Sequence, residues 1–495
     1  MILSTTITVT ALIGIASYYL YNWLYWKLRG IPGPWGYPVI GSFLDTMKVQ
    51  DSILLKLQTW TKKYGKIYGI TEGQTKLLVI SEPELVNEVF VKQFDNFYSR
   101  RMNKLQVDPE NDTRVHVFSA RGPRWRRLRA VASLSFSSNN IKNVMPQMDD
   151  SAKKLVEILV ARLNGNEATD IQLAYKEFTF DNPLSKSAHE FFHNDDWLLF
   201  TIIGSFPRFS RFLRYMFTAF PKLFGGTALV NLLRVCDKAV RQRIVQREMD
   251  EKNGVENHVH NDFIDTYLDY RADFKTEETG LTNKLDRKLN TDEIIAMSAL
   301  FLVAGFDTIS FTATLVSYCL ATHPEAQKKA LEEIDRECVS ADLTYEQLSN
   351  LHYLDFVIRE TLRLYPTAAS GPSRKCMKAT VIGGIPIEEG VEVIADSMSL
   401  HYDKTIWGDD ADEFKPERWE KEESFMTNPS YVPFGIGKRI CIGMRLAYFE
   451  IKVLTAHMLR TFTLTTGPET TIPPKLIGRE VLGPETTKLY LKLRE

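Results

Sequence analysis

The chain has 495 residues, of which 44% are hydrophobic and 25% charged, the composition of an ordinary globular protein with a large buried core. Its formal net charge of -1 gives no indication of a nucleic-acid partner. The five cysteines lie far apart without a CxxC pair, which argues against zinc ribbons and thioredoxin chemistry and favours reduced thiols in a cytosolic compartment.

The N-terminal segment differs from the rest of the chain because residues 1–26 carry no charged side chain. This run is long enough to cross a bilayer core as one helix. Tyr25 and Trp26 stand where an aromatic belt would lie, and the basic residues Lys27 and Arg29 follow at once. A cleaved signal peptide is the alternative, but no basic residue precedes the run. The pattern predicts an uncleaved transmembrane anchor, with the body of the protein in the cytosol.

Residues 27–42 are rich in proline and glycine and predict a stiff extended connector, since proline fixes φ and resists helix formation. Residues 43–495 contain no later linker and no internal repeat, so we expect a single domain. Alternating hydrophobic residues and glycine turns predict a hairpin over 66–81 and a strand pair over 380–397. Most of the rest has a helical period, so the predicted fold is mainly α with a small β portion.

Two segments in the first half of the chain combine aromatic and basic residues. The stretch "RWRRLR" places Trp125 and Arg129 four residues apart, on one helix face. An amphipathic surface helix with a buried tryptophan would give the same pattern. Residues 200–226 mix aromatic and basic side chains, as in segments that dip into a membrane interface, and ordinary core helices are the alternative.

The longest predicted helix begins at Thr291, a suitable cap, and runs to about Thr322, roughly 45 Å. It is apolar on nearly all sides, so it should lie in the middle of the protein. Within it, "AGFDTIS" contains Gly305, Asp307 and Thr308. A buried carboxyl and a mid-helix glycine each cost stability, and two such costs at one place suggest a site. A packing glycine beside an ion-paired aspartate is the alternative.

Three further charged residues follow in the second half of the chain. Glu360 and Arg363 lie three residues apart and share a helix face, which by itself is a common surface pair. Arg418, in the stretch "FKPERW", could join them in a buried charge triad.

The stretch "VPFGIGKRICIG", residues 432–443, contains three glycines, two adjacent bases and Cys441. A P-loop is excluded because position 432 is Val and Lys438 is followed by arginine, not by Ser or Thr. A dinucleotide-binding turn is excluded because position 440 is Ile. A structural turn and a metal socket remain open on these residues alone.

Each motif is weak by itself, but their order along the chain is specific. The set resembles the cytochrome P450 family of haem-thiolate enzymes, over nearly the whole chain after the anchor. The residues that carry the resemblance are, in chain order, Trp125 and Arg129; Ala304, Gly305, Asp307 and Thr308; Glu360 and Arg363; Pro416, Glu417 and Arg418; and Phe434, Gly437, Arg439, Cys441 and Gly443. The nearest likeness is to the animal microsomal branch that includes drug- and steroid-oxidising enzymes and thromboxane synthase.

The resemblance implies that Cys441 is the axial thiolate ligand of haem b iron. A thiolate needs a positive field, and Cys441 precedes a predicted helix whose N-terminus offers free N–H groups. The other implied haem-binding residues are Trp125, Arg129, Arg374, Phe434 and Arg439, with Arg100 a looser candidate for the propionates.

The resemblance also implies the reaction and its partners. Asp307 and Thr308 match the acid–alcohol pair that delivers protons to bound oxygen, and Gly305 would leave room for O₂. No nucleotide or flavin motif is present, so electrons would come from NADPH–cytochrome P450 reductase, with cytochrome b5 as a second donor. The expected substrate is an apolar small molecule, and the expected location is the endoplasmic reticulum membrane. The basic residues expected to face the reductase are Arg124, Arg126, Arg127, Lys438 and Arg445.

One departure from the family pattern leaves two other functions open. After "YKEFTFD", residues 175–181, members continue along an apolar helix, whereas here "NPLSKSAHEFF" follows directly. The gap amounts to about four helical turns. The chain could therefore be a non-catalytic variant that binds haem poorly. The other alternative is a peroxide isomerase of the thromboxane-synthase kind, which needs no reductase.

Overall fold

Helices dominate the computed structural model, which describes residues 2–46, 52–102, 108–163, 168–179, 205, 212, 215–216, 227–254, 262–271, 288–368, 372–421, 425–478 and 481–494. Within these residues the α-helices, numbered α1 to α16, are Ile2–Leu24, Phe43–Thr46, Ile53–Tyr64, Pro83–Asn87, Gly122–Ser135, Ser138–Arg162, Ile171–Thr179, Thr227–Lys252, Phe263–Leu268, Thr291–Thr322, Pro324–Glu337, Tyr345–Ser349, His352–Leu364, Ser397–His401, Lys404–Trp407 and Met444–Thr461. The strands, β1 to β11, are Ile67–Glu72, Thr75–Ile80, Thr169–Asp170, Ser373–Lys375, Thr380–Ile382, Ile385–Ile387, Glu392–Ala395, Phe462–Thr465, Leu476–Ile477, Gly483–Pro484 and Lys488–Leu493. The predicted fold class, mainly α with a small β portion, is confirmed.

The largest sheet has four strands in the order β1-β2-β7-β4. Strands β1 and β2 form the predicted antiparallel hairpin, and β7 lies parallel to β2. The strand pair predicted over 380–397 is only partly right. Strands β5 and β6 pair with each other, but β7 joins the larger sheet, where hydrophobic side chains on β2 and β7 are buried together. The antiparallel strand β4 carries Arg374 into the protein interior.

The central helix, α10, lies in the protein core as its apolar sequence predicts. Its second half packs with α6, α7, α11, α13 and α16, and its first half with α5, α8 and α9. The predicted cap is off by one residue. Asn290 caps the helix in a capping box with Glu293, and Thr291 is its first residue. The helix ends at Thr322, as predicted.

A buried ion triad stabilises the region that precedes the cysteine loop, residues 432–443. Arg363 Nη2 lies 2.8 Å from Glu360 Oε1, and both side chains are 0% exposed. Arg418 Nε lies 2.8 Å from the same carboxylate oxygen. The remaining N–H groups of Arg363 donate to backbone carbonyls, which include that of His401 at 2.7 Å. The predicted triad therefore forms, with no solvent around its central pair.

The N-terminal helix α1 is apolar, long enough to cross a membrane and largely exposed. Among the described residues the central helix is also long and apolar enough to cross a membrane, but it is mostly buried within the protein. Past α1 the chain is fixed to the sheet. Trp26 Nε1 donates to the Ile70 carbonyl at 3.0 Å, and Gly69 N donates to the Pro32 carbonyl at 2.8 Å. The connector thus packs against β1 and is not a free linker.

Two predictions concern segments mostly outside the described residues. The break after Asp181 lies there entirely, and the candidate membrane segment 200–226 is described only at single positions. Two of these, Phe212 and Tyr215, are exposed.

Candidate active site

The cysteine loop is shaped by a tight turn that only glycine allows. Gly437 has φ +74°, and a Cβ at this position would lie 2.3 Å from the Phe90 carbonyl oxygen. A short 3₁₀ turn over Gly437–Arg439 follows, and Cys441 N donates to the Phe434 carbonyl at 2.9 Å. The loop ends at the start of α16, Met444.

Cys441 is the exposed thiol of the chain, whereas Cys236, Cys319, Cys338 and Cys376 are buried. It is nevertheless surrounded by protein, and this burial raises the pKa of its thiol. The Cys441 side chain is therefore accessible although protein atoms surround it on most sides. A sulfur in this position can meet a bound group.

Backbone donors and nearby cations act against the effect of burial at Cys441. The N–H groups of Gly443 and Met444, at the start of α16, lower the pKa of the thiol, as do the charges of Arg100 and Arg129. This is the field expected at a helix N-terminus, where backbone N–H groups lack intrahelical partners.

Four arginines from separate elements meet beside the cysteine loop, and we call them the cation cluster: Arg100, Arg129, Arg374 and Arg439. Arg100 Nη2 donates to the Arg439 carbonyl at 2.6 Å, and Arg374 Nη2 donates to the Ile436 carbonyl at 3.3 Å. Arg439 donates to the Ala120 carbonyl at 2.6 Å, and its guanidinium lies 4.5 Å from the centre of the Trp125 ring. Arg100, which the sequence indicated least clearly as a propionate-binding residue, thus contacts another member of the cluster.

The cation cluster fits an anionic ligand. Within the described part of the chain, none of its arginines forms an ion pair with a carboxylate, and the Nε atoms of Arg100, Arg374 and Arg439 are buried without a hydrogen-bond acceptor. Burial and the mutual repulsion of these cations lower the pKa of Arg439 to about 8. Burial, opposed by Cys441, lowers the pKa of Arg100 to about 10. Two carboxylates, such as the propionates of haem, would reduce the repulsion between these arginines and accept hydrogen bonds from their free Nε–H groups. The residues of the cation cluster therefore fit haem.

The central helix opens to solvent at one point. Ala304 and Gly305 are exposed, although the neighbouring Phe306 and Asp307 are buried. Thr308 is partly exposed, and its hydroxyl donates to the Ala304 carbonyl at 2.5 Å. The helix therefore presents small residues and one hydroxyl to an accessible space, while the Asp307 carboxylate lies within the protein.

Lys176 on α7 lies beside Asp307, a proximity that the sequence analysis missed. Its ammonium is 5.1 Å from the centre of the Phe311 ring, one helical turn after Asp307. Burial lowers the pKa of Lys176, and the negative charges of Asp307 and Asp170 oppose that shift. The stretch "IQLAYKEF" also contains Gln172 and Glu177, so the sequence alone contained no signal that singled out Lys176.

The predicted basic face is smaller than expected. Arg124 and Arg127 were expected to face a partner, but both bind the buried carboxylate of Glu293, at 2.8 and 2.7 Å. They tie α5 to the start of the central helix. Arg126, Lys438 and Arg445 are exposed.

Comparisons with known proteins agree with this architecture. A family model described as "Cytochrome P450" matches residues 31–492. Three similar proteins from Caenorhabditis elegans are each named "Putative cytochrome P450". CYP13A10 is 43% identical over 98% of both chains, CYP13A4 is 43% identical over 100% of this chain and 99% of its own, and CYP13A8 is 42% identical over 98% and 99%.

The alignment with CYP13A4 has 520 positions and covers all of this chain of 495 residues. About 25 of its positions therefore stand opposite gaps in this chain. The match nevertheless extends over nearly the whole length of each protein. The chain therefore belongs to the cytochrome P450 family, whose members are in general haem-dependent monooxygenases with a cysteine ligand to the iron.

Proposed function

We propose that this protein inserts one atom of O₂ into an apolar small molecule, such as a xenobiotic, steroid or fatty-acid-like compound, and reduces the other atom to water. Residues 43–495 would form the catalytic domain. The observation that carries the proposal is the position of Cys441, which is accessible and lies beside arginines that have no carboxylate partner among the described residues.

Cofactor binding is assigned to residues from four separate elements. Cys441 would ligate the iron, and the N–H groups of Gly443 and Met444 would favour its thiolate form. Bound haem supplies the activation of O₂, which a thiolate ligand promotes by donating electron density. The residues that would hold the propionates and the ring are Trp125, Arg129, Arg374, Phe434 and Arg439, together with Arg100.

Proton delivery is assigned to Asp307 and Thr308. The Thr308 hydroxyl is partly exposed and holds its proton toward the Ala304 carbonyl, so a small rotation would present it to the accessible space. Asp307 is adjacent in sequence and buried, and Lys176 supplies a positive charge beside its carboxylate. The pair could therefore pass protons inward while the surrounding apolar residues exclude bulk water.

A change at this pair should separate oxygen consumption from product formation. Replacing Asp307 by Asn or Thr308 by Ala should lower product formation about a hundredfold, because positioned proton transfer contributes about 10²–10⁴-fold. The electrons supplied by NADPH would then be released as hydrogen peroxide. The measurement is the amount of peroxide and of product formed per NADPH oxidised. Thr308→Ser, which keeps the hydroxyl, is the matched control. Unchanged product per cofactor in the alanine variant would contradict the assignment.

Electron supply is assigned to NADPH–cytochrome P450 reductase, with cytochrome b5 as a second donor. Arg126, Lys438 and Arg445 are the exposed bases available to an acidic partner near the cysteine loop. The purified protein, incubated with reductase and a panel of apolar compounds, should form hydroxylated products only when reductase and NADPH are present. Rearrangement of a peroxide without reductase would support an isomerase, and failure to retain haem would support a non-catalytic variant.

Membrane attachment is assigned to residues 1–26, with residues 27–42 as the connector to a cytosolic domain at the endoplasmic reticulum. Deleting residues 2–24 should move the protein from the microsomal pellet to the supernatant after alkaline carbonate extraction, since α1 would supply the spanning segment. A full-length variant with Lys27 and Arg29 changed to Ala is the control and should stay in the pellet. Extraction of the unchanged protein by carbonate would refute the anchor.

A further inference from the structure

Residues 114–120 connect the two sides of the candidate active site. Val117 N donates to Met297 Sδ at 3.2 Å, and Met297 lies two turns before Ala304 on the central helix. At the other end, the carbonyls of Phe118 and Ala120 accept hydrogen bonds from Arg439, two residues before Cys441. Residues 114–120, which we call the bridging segment, therefore contact both the central helix and the cysteine loop.

The side chains of the bridging segment point in two directions, into the protein core and toward an accessible surface. Val115 and Val117 are buried in the core cluster that includes the first half of the central helix. His116 and Phe118 are partly exposed, and their ring centres lie 6.4 Å apart. The Arg100 guanidinium lies 4.0 Å from the centre of the Phe118 ring. Phe118 thus lies against the cation cluster, and His116 lies next to Phe118 on the same side of the segment.

The hydrogen bonds of His116 determine where its ring carries a proton. Ser119 N donates to His116 Nδ1 at 3.3 Å, and the Ser119 hydroxyl lies 3.2 Å from the same atom. Ser119 N also donates to the His116 carbonyl at 3.1 Å, so it shares its hydrogen between the two acceptors. Because a backbone N–H can only donate, the contact with Nδ1 favours the neutral tautomer that carries its proton on Nε2. Burial and the charge of Arg100 lower the pKa of His116 to about 4, so the ring is neutral at physiological pH.

The Nε2–H group has no partner among the described residues and is not occluded by them. We propose that this group is a hydrogen-bond donor of the substrate pocket and selects apolar molecules that carry a neutral carbonyl oxygen. This inference rests on the proposed function, since it assigns the accessible side of His116 to substrate. A carboxylate is disfavoured because the neutral ring offers no charge and the neighbouring cations would already be neutralised by haem.

The matched probes are 4-phenylbutan-2-one and butylbenzene, which differ by a carbonyl in place of one methylene group. We expect the unchanged haem-loaded protein to bind the ketone more tightly, by calorimetry. His116→Phe keeps an aromatic ring but removes the donor, so it should weaken ketone binding about five- to fiftyfold, the effect of losing one buried hydrogen bond. Butylbenzene accepts no hydrogen bond, so the ratio of ketone affinity to butylbenzene affinity should fall. His116→Gln, which keeps an N–H donor, should retain part of the preference.

Three results would overturn the inference. The first is the same ratio of ketone affinity to butylbenzene affinity in the unchanged protein and both variants, and the second is binding of neither probe by the unchanged protein. The third is loss of haem from His116→Phe with an unchanged affinity ratio. The last would mean that Nε2 donates to a propionate. Calorimetry does not depend on the haem spectrum, so the proposed function is tested separately by the carbon monoxide spectrum. A carbon monoxide spectrum typical of a thiolate ligand, together with equal affinity ratios in all three proteins, would reject only the role of His116.

Discussion

Replacing Cys441 by Ser should abolish the strongly red-shifted Soret band that we expect from the dithionite-reduced protein with carbon monoxide. A hydroxyl does not supply the thiolate charge to iron, so the band should move to the shorter wavelength of neutral-ligand haem or disappear with the haem. Product formation with reductase should be lost as well. The change is one atom at an accessible position, so the fold should persist in circular dichroism.

The matched control is Cys376→Ser, which makes the same chemical change at a buried thiol. Cys376 Sγ donates to the Lys378 carbonyl at 3.1 Å, and a serine hydroxyl can make the same bond. This variant should keep the red-shifted band. A red-shifted band in Cys441→Ser would show that another group ligates the iron. A band at the shorter wavelength in the unchanged protein would show that the chain has lost the thiolate site.

The positions that the sequence predicted best are those fixed by local backbone geometry. Gly437 is required by a positive φ and a close approach to Phe90, and Cys441 follows it in a short turn. The central helix was predicted to its last residue because its hydrophobic pattern is continuous. Its cap was misassigned to Thr291 although Asn290 and Glu293 have the spacing of a capping box, a stronger signal than Thr291 alone.

The positions that the sequence predicted poorly depend on contacts between distant segments. Arg124 and Arg127 look like surface bases in "RWRRLR", yet their partner Glu293 is more than 160 residues away. Charge alone does not distinguish an arginine that binds a buried carboxylate from one that faces a partner. Arg100 and Lys176 were underestimated for the same reason, since their neighbours are brought together only by the fold.

Replacing Glu360 by Gln should be among the most destabilising single changes in the protein. It would leave the fully buried guanidinium of Arg363 without its ion-pair partner and weaken the contact with Arg418. Removing one partner of a buried pair costs about 3–5 kcal/mol, a large part of a typical stability of about 5–15 kcal/mol. The midpoint of urea unfolding should fall accordingly. The control is Glu346→Gln, which removes an exposed partner of Lys142 and should leave the midpoint of urea unfolding nearly unchanged.

The same change should lower haem content, because the triad is linked to the cysteine loop. His401 Nδ1 donates to the Arg363 carbonyl at 3.0 Å, and its Nε2 accepts from Val432 N at 3.0 Å. Burial and the nearby Arg363 lower the pKa of His401 to about 3, so the neutral ring can donate at one nitrogen and accept at the other. A shift of Arg363 would thus move the first residue of the loop that carries Cys441.

A double-mutant cycle with Arg363→Met separates this linkage from simple loss of a contact. Once Arg363 is absent, removing Glu360 leaves no fully buried cation, so the two destabilisations should fall short of additivity by about 1–3 kcal/mol. Haem loss should nevertheless persist in the double variant, since the contacts of Arg363 with the backbone near His401 would be gone. Additive effects on stability would mean that Glu360 and Arg363 act independently. Full haem content in the double variant would mean that the loop does not depend on the triad.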